Sequence, residues 1–286
     1  IFSKGQAIAG GMKLYTDIGS QHMPLMYYIA ALFSAVGLNT VVLFRFAFYA
    51  LTAFLFGIMF FCYSDKFGKK AMLVFPLGML ALMPSILWGT TILSDLYQGI
   101  GISILVLELI SFKTSEKLSL KSMLMISLAI FISFGSAFVA IFSVFAVGVT
   151  VAALEIVAAV KAKENVFAFI LRMVKRYWLL VLIVAIPFAV MFGYIALQGS
   201  LGDFIGWAYT LNRTIYPKYL GYGSSIFGSL FGGVKYLVAP FIELSFTYAC
   251  FKNIAWLVLS VLGIAAIYRK KKDKVLLIGL LFVFIT

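Results

Sequence analysis

Charge is what this chain of 286 residues has least of. Asp, Glu, Lys and Arg together make up 12% of it, with 10 acids against 23 bases, and there is one histidine and two cysteines. A soluble domain carries about a quarter charged residues, so the soluble globular class is excluded. Cys62 and Cys250 lie far apart, in or beside apolar runs, and give neither a metal-ligand spacing nor a disulfide framework. What is abundant is apolar surface: 64% of the residues are hydrophobic and the mean hydropathy is +1.09. That balance predicts an all-α, polytopic membrane protein, because in lipid a helix satisfies its own backbone polar groups. The formal net charge of +13 would suit nucleic acid, yet the bases fall in short loops between apolar runs, which is how topology is encoded. No nucleic-acid partner is expected. The chain opens at Ile1 without a methionine and stops at Thr286 inside an apolar run, the pattern expected of a fragment of a longer protein.

The apolar runs divide the chain into a first external loop (1–40), a block of transmembrane helices (41–197), a second external loop (198–246) and closing helices (247–286), the last one cut short. The run Pro24–Val36 has 13 residues. At 1.5 Å per residue it reaches about 20 Å, short of the roughly 30 Å hydrocarbon core. It reads as an interfacial or re-entrant helix with Pro24 at its first turn. Spans are expected at about Val41–Tyr63, Ala71–Leu93, Leu96–Phe112, Leu118–Ser133, Ala137–Val160, Tyr177–Leu197 and Thr247–Tyr268, with a further one beginning at Val275. Alternate loops then hold Lys66, Lys69, Lys70, Lys113, Lys117, Lys121, Lys161, Lys163, Arg172, Lys175, Arg176, Arg269, Lys270, Lys271, Lys272 and Lys274, which is 16 of the 23 bases. The positive-inside rule makes that side cytoplasmic and places the opening stretch, Asp95 and Gln198–Leu237 outside an inner or plasma membrane.

Ionisable groups that are not topology markers gather on that outer side, where they suggest a site. Asp17 and Asp95 could hold a divalent ion such as Mg or Mn, or one could act as general base toward a hydroxyl. The plainer reading makes each a solvated loop acid or, for Asp95, a helix cap. His22 could contact a phosphate or carry a proton; alone it is equally an interfacial histidine facing water. Arg213 and Lys218 could bind a lipid phosphate or snorkel among headgroups. Asn212-Arg213-Thr214 fits the glycosylation acceptor pattern, a weak three-residue signal. Glu108 and Glu155 near the opposite ends of spans could relay protons, although pairing with Lys113 and Lys161 explains them more simply. Asp203 and Glu243 carry no spacing signal. The aromatic residues, 17% of the chain, could line a lipid groove but suit interface belts and core packing.

One stretch carries more than composition. Gly11, Tyr15, Asp17, Pro24, Leu25, Tyr27 and Tyr28 follow a pattern of glycine, tyrosine and aspartate, a gap, then proline-leucine and an aromatic pair. It resembles the first external loop of GT-C-fold glycosyltransferases that use polyprenyl-phosphate sugars, the protein-mannosyltransferase and aminoarabinose-transferase-like group. Arg45 resembles the arginine that opens the family's next span, and Asp95 the acidic residue after its third. The resemblance covers residues 1–110 and continues beyond them only as topology. His22 stands where many members have lysine, and the family's main catalytic acid belongs just before Phe2.

The resemblance implies a GT-C-like helical bundle and a membrane enzyme that moves a sugar from a polyprenyl-phosphate carrier to a lipid, glycan or protein acceptor at the extracytoplasmic face, with inversion. It implies catalytic roles for Asp17 and Asp95, which would also hold the metal, and substrate contacts for Tyr15, His22, Arg45, Arg213 and Lys218. The competing expectation is a transporter or flippase of lipid-linked sugars, motivated by the span number and by Glu108 and Glu155. No internal repeat of the kind common in transporters is visible.

Overall fold

The computed structural model describes residues 1–74, 94–114, 116–215 and 248–285. It is all-helical, 81% helix with no strand among the described residues. Helix α1 spans Phe2–Ala9, α2 Leu25–Ala35, α3 Val41–Phe67, α4 Ser94–Ser111, α5 Leu120–Ser136, α6 Ala140–Lys161 and α7 Val166–Leu197. A single turn, α8 (Leu201–Phe204), runs into a π-helix at Ile205–Ile215, and α9 (Tyr248–Lys271) and α10 (Lys274–Ile285) close the chain. Four helices, α3, α4, α6 and α7, are long and apolar enough to cross a membrane, so the chain is a helical membrane protein. The second expected span, Ala71–Leu93, lies outside the described residues beyond 74.

Local chemistry sets the helix starts. Thr40, Ser119 and Asn165 are extended N-caps whose side chains accept from the backbone N–H groups of Leu43, Ser122 and Ala168. The Asn165 cap corrects one expected boundary. The basic stretch Lys161–Arg176 is not a loop; α7 starts at Val166 and carries Arg172, Lys175 and Arg176 on its first turns. The leucine- and valine-rich α7 also contains Pro187, which has no N–H for the carbonyl of Ile183. Ser127 of α5 fills that vacancy, its Oγ donating to the Ile183 oxygen at 2.9 Å.

The core forms around close helix contacts. Phe44, Phe48, Met59 and Tyr63 of α3 pack on Tyr97, Ile100 and Ile104 of α4 and on Met125 and Ala129 of α5. Gly101 lets α4 approach α5 so nearly that an added Cβ would come 2.5 Å from the Ala129 carbonyl oxygen. Gly5 does the same for α1, where a Cβ would meet that of Ala30 at 2.5 Å. Helix α1 was not expected: eight mixed residues give little periodicity, and its order comes from this seat on α2.

Two glutamates pair differently from the expectation. Glu155 is fully buried and is bound not by Lys161 but by Arg172 (2.5 Å), Arg176 (2.9 Å) and the hydroxyl of Tyr177 (2.8 Å). A turn of helix offers Lys161 only a long flexible stem, whereas α7 presents two planar guanidinium forks to the carboxylate. Arg176 also donates to the carbonyls of Lys113 and Thr114, tying α7 to the end of α4. Glu108 accepts from Tyr63 Oη at 2.7 Å, and Lys113 pairs instead with Glu116.

Candidate functional site

The opening loop is built by backbone geometry before any side chain acts. Gly11 has φ +99°, which turns the chain out of α1. The N–H of Asp17 and that of Ile18 both bond to the Lys13 carbonyl, and the N–H of Tyr15 returns to Ile18 O at 2.9 Å. Tyr15 itself holds φ +76°, a left-handed state that costs a non-glycine residue about 1–3 kcal/mol. Burial of its ring offsets that strain: Tyr15 is 1% exposed, packs edge-on to Phe204 at 5.0 Å, and donates from Oη to the His22 carbonyl at 2.8 Å.

This loop meets the end of α7 and the segment after it. Leu14, Tyr15 and Tyr27 share a buried cluster with Ile195 and Ala208. Thr16 Oγ1 donates to Asp203 Oδ2 at 2.7 Å and lies 2.8 Å from Ser200 Oγ. Gly19 faces the Trp207 ring, where a Cβ would come within 2.7 Å. On the other side Lys4 of α1 donates to the Gly19 carbonyl at 2.6 Å and places its ammonium 5.3 Å from the Tyr27 ring centre. Ser20 Oγ donates to Tyr27 Oη at 2.8 Å. Residues almost 190 positions apart in sequence thus form one structure.

The ionisable groups have distinct surroundings. The carboxylate of Asp17 is exposed and accepts from the N–H of Lys13 at 2.8 Å, closing the loop that carries it. Asp95 is exposed in the first turn of α4, where the helix dipole favours an anion. The imidazole of His22 is held below its ordinary pKa, chiefly by desolvation; the carboxylate of Asp95 opposes that shift and the ammonium of Lys4 adds to it. Lys4 is itself lowered by burial. Burial also pushes the Tyr15 phenol far up, so it remains a donor at any working pH. His22 therefore feels the charges of Asp95 and Lys4, which come from two other segments.

Of the expected site residues, Tyr15, Asp17 and His22 share one loop, and the charge of Asp95 acts on His22. Tyr15 is corrected from a substrate contact to a buried residue that fixes the loop. Arg45 is exposed near the start of α3, and Arg213 is exposed on the π-helix with Nη1 2.9 Å from Tyr209 Oη. Lys218, like Glu243, lies outside the described residues. Sequence reasoning missed Lys4, Thr16 and Ser20, which carry no spacing signal. No group of three His, Cys, Asp or Glu side chains gathers to hold a metal among the described residues, and Asp17 already serves its own loop.

Comparison with protein-family models, with curated proteins and with solved structures returned no match. What the arrangement offers must be read from its chemistry. An exposed carboxylate near an imidazole can take a proton from a hydroxyl, and an ammonium nearby can balance an anionic group.

Proposed function

We infer that this protein is a membrane glycosyltransferase that moves a sugar from a polyprenyl-phosphate carrier to a hydroxyl acceptor at the extracytoplasmic face. The observation that carries the reading is the gathering of His22, Asp95 and Lys4 beside the Gly11–Tyr28 loop, at the end of the bundle away from the arginines that bind Glu155. Asp95 takes the proton of the acceptor hydroxyl as its oxygen attacks the anomeric carbon. The bond from that carbon to the phosphate oxygen breaks, configuration inverts, and the lipid phosphate leaves with both electrons. Lys4 and His22 face the charge that grows on the departing phosphate. Asp17 holds the loop in shape through Lys13.

The test is transfer from radiolabelled polyprenyl-phosphate sugars by the full-length protein in liposomes, wild type against Asp95→Asn and Asp17→Asn. Labelled glycoside from wild type and none from Asp95→Asn supports the reading; equal activity of all three removes the assigned roles. The transporter or flippase alternative draws on Glu108, buried against Tyr63 in the bundle. Label that accumulates inside the liposomes without a glycosidic product would favour it.

A further inference from the structure

The Lys4 ammonium is held by groups from two other segments. A close helix contact makes this possible. Gly5 of α1 lies against Ala30 of α2, where an added Cβ would be 2.5 Å from that of Ala30. Lys4 precedes Gly5, and Tyr27 stands one turn before Ala30 on the same side of α2. The same approach therefore brings a lysine stem to an aromatic ring. The ammonium sits 5.3 Å from the Tyr27 ring centre and donates to the Gly19 carbonyl at 2.6 Å. Neither partner is loose. Tyr27 is 3% exposed, shares a buried cluster with Leu14, Tyr15, Ile195 and Ala208, and accepts from Ser20 Oγ at 2.8 Å. Gly19 backs onto the Trp207 ring, too near for any Cβ. Lys4 itself is only half-buried, and no carboxylate pairs with it among the described residues.

We propose that Tyr27 is a positioning residue: its ring and the Gly19 carbonyl hold the Lys4 ammonium ready for the phosphate at the head of a lipid carrier. An ammonium has three N–H donors and no acceptor, and Gly19 takes only one of them. A ring face attracts the charge without cancelling it, whereas a carboxylate in the same place would neutralise it. The cation is thus fixed but still uncompensated, which suits an anionic ligand. A lysine stem is long and flexible, so a ligand that met it unheld would have to order it on binding. Here the fold has ordered it in advance, beside the imidazole of His22 on which its charge acts. The inference rests on the glycosyltransferase reading for the choice of phosphate, but it is measured by binding.

The full-length protein in nanodiscs of neutral phosphatidylcholine is titrated with citronellyl phosphate, citronellol and inorganic phosphate. Wild type should bind citronellyl phosphate more tightly than either of the others, and Lys4→Met should remove that preference. Tyr27→Phe keeps the ring and should keep the affinity. A trifluorinated phenylalanine in place of Tyr27 preserves the volume but depletes the ring's negative face. It should weaken citronellyl phosphate about three- to tenfold, leave citronellol unchanged, and add nothing in the Lys4→Met background. An unchanged affinity with the fluorinated ring, a loss that extends to citronellol, or a loss that persists without Lys4 would overturn the positioning role. So would wild-type binding of citronellyl phosphate by Lys4→Met, and preference for inorganic phosphate would overturn the lipid carrier as the source of the anion. If the binding results hold but no glycoside is made, the enzyme reading falls and the positioning role stands. If glycoside is made and the fluorinated ring keeps wild-type affinity, the positioning role falls and the enzyme stands.

Discussion

The two ends of this bundle treat carboxylates in opposite ways. At the basic end, Glu155 is fully buried yet satisfied by two arginines and a tyrosine, and Arg172 is shared with Glu164. At the other end, Asp17 and Asp95 are exposed and make no ion pair among the described residues. A buried charge without partners would be expelled or neutralised, so the Glu155 network is a clamp: its carboxylate is held by two guanidinium groups and a phenol. The exposed acids cost little to maintain; Asp17 accepts from the N–H of Lys13, and both stay in reach of solvent. In a membrane protein with 10 acids in all, the contrast separates an acid committed to the fold, Glu155, from two that stay at the surface.

The contrast breaks first on Asp95. Asp95→Asn should lower sugar transfer by about 10²- to 10⁴-fold, the worth of a general base, with the thermal midpoint unchanged. Steady-state assays and thermal inactivation of the same preparation check both halves; a fall in stability without a loss of rate would reverse the assignment.

Glu155→Ala should do the opposite. Removal of one partner from a buried pair costs about 3–5 kcal/mol, since Arg176 would be left buried without its carboxylate. Steric-trap unfolding in bicelles measures it. Preserved stability would mean that the arginines reach water, and the clamp would be an ornament of the surface.

A smaller effect tests the seam between the ends. Ser127→Ala leaves the carbonyl opposite Pro187 without a donor and should destabilise by about 0.5–2 kcal/mol. Ser127→Thr, which keeps the hydroxyl, should recover most of it, read again by unfolding.

The smallest effect is a pH dependence at the exposed end. The His22 pKa is depressed in the fold, chiefly by desolvation. The unfolded chain therefore binds the proton more readily, so the contribution of His22 to stability is full above its ordinary value of about 6.5 and is lost as the pH falls toward the lower folded value. Thermal midpoints recorded from pH 7.5 to 5 should fall less steeply in His22→Gln than in wild type; identical slopes would put the imidazole in free solvent.

Much of the scaffold was legible in advance. The apolar runs expected to begin near Val41 and Leu118 are helices from Val41 and Leu120, whereas the start at Asn165 was missed because basic residues fill the first turns of α7. The short apolar run after Pro24 announced α2, which spans Leu25–Ala35 with Pro24 as its cap. The site was legible only in part. Asp17, His22 and Asp95 could be singled out because charged groups are scarce, but their company could not be. Lys4 looked like any base, and Thr16 like any loop hydroxyl, until Gly19, Ser200 and Asp203 stood beside them.

By itself the sequence determined the solvent of this protein: an apolar content of 64% with 12% charge can be buried only by lipid and satisfied only by helices. It also determined the alternation of basic loops. Only the tertiary structure decided which acid meets which base, because a carboxylate chooses its partner by geometry across helices and not by distance along the chain. Glu155 lies six residues from Lys161, yet binds arginines on the next helix, and Tyr15 is held by a ring at Phe204. Those contacts were paid for by packing that no local pattern records.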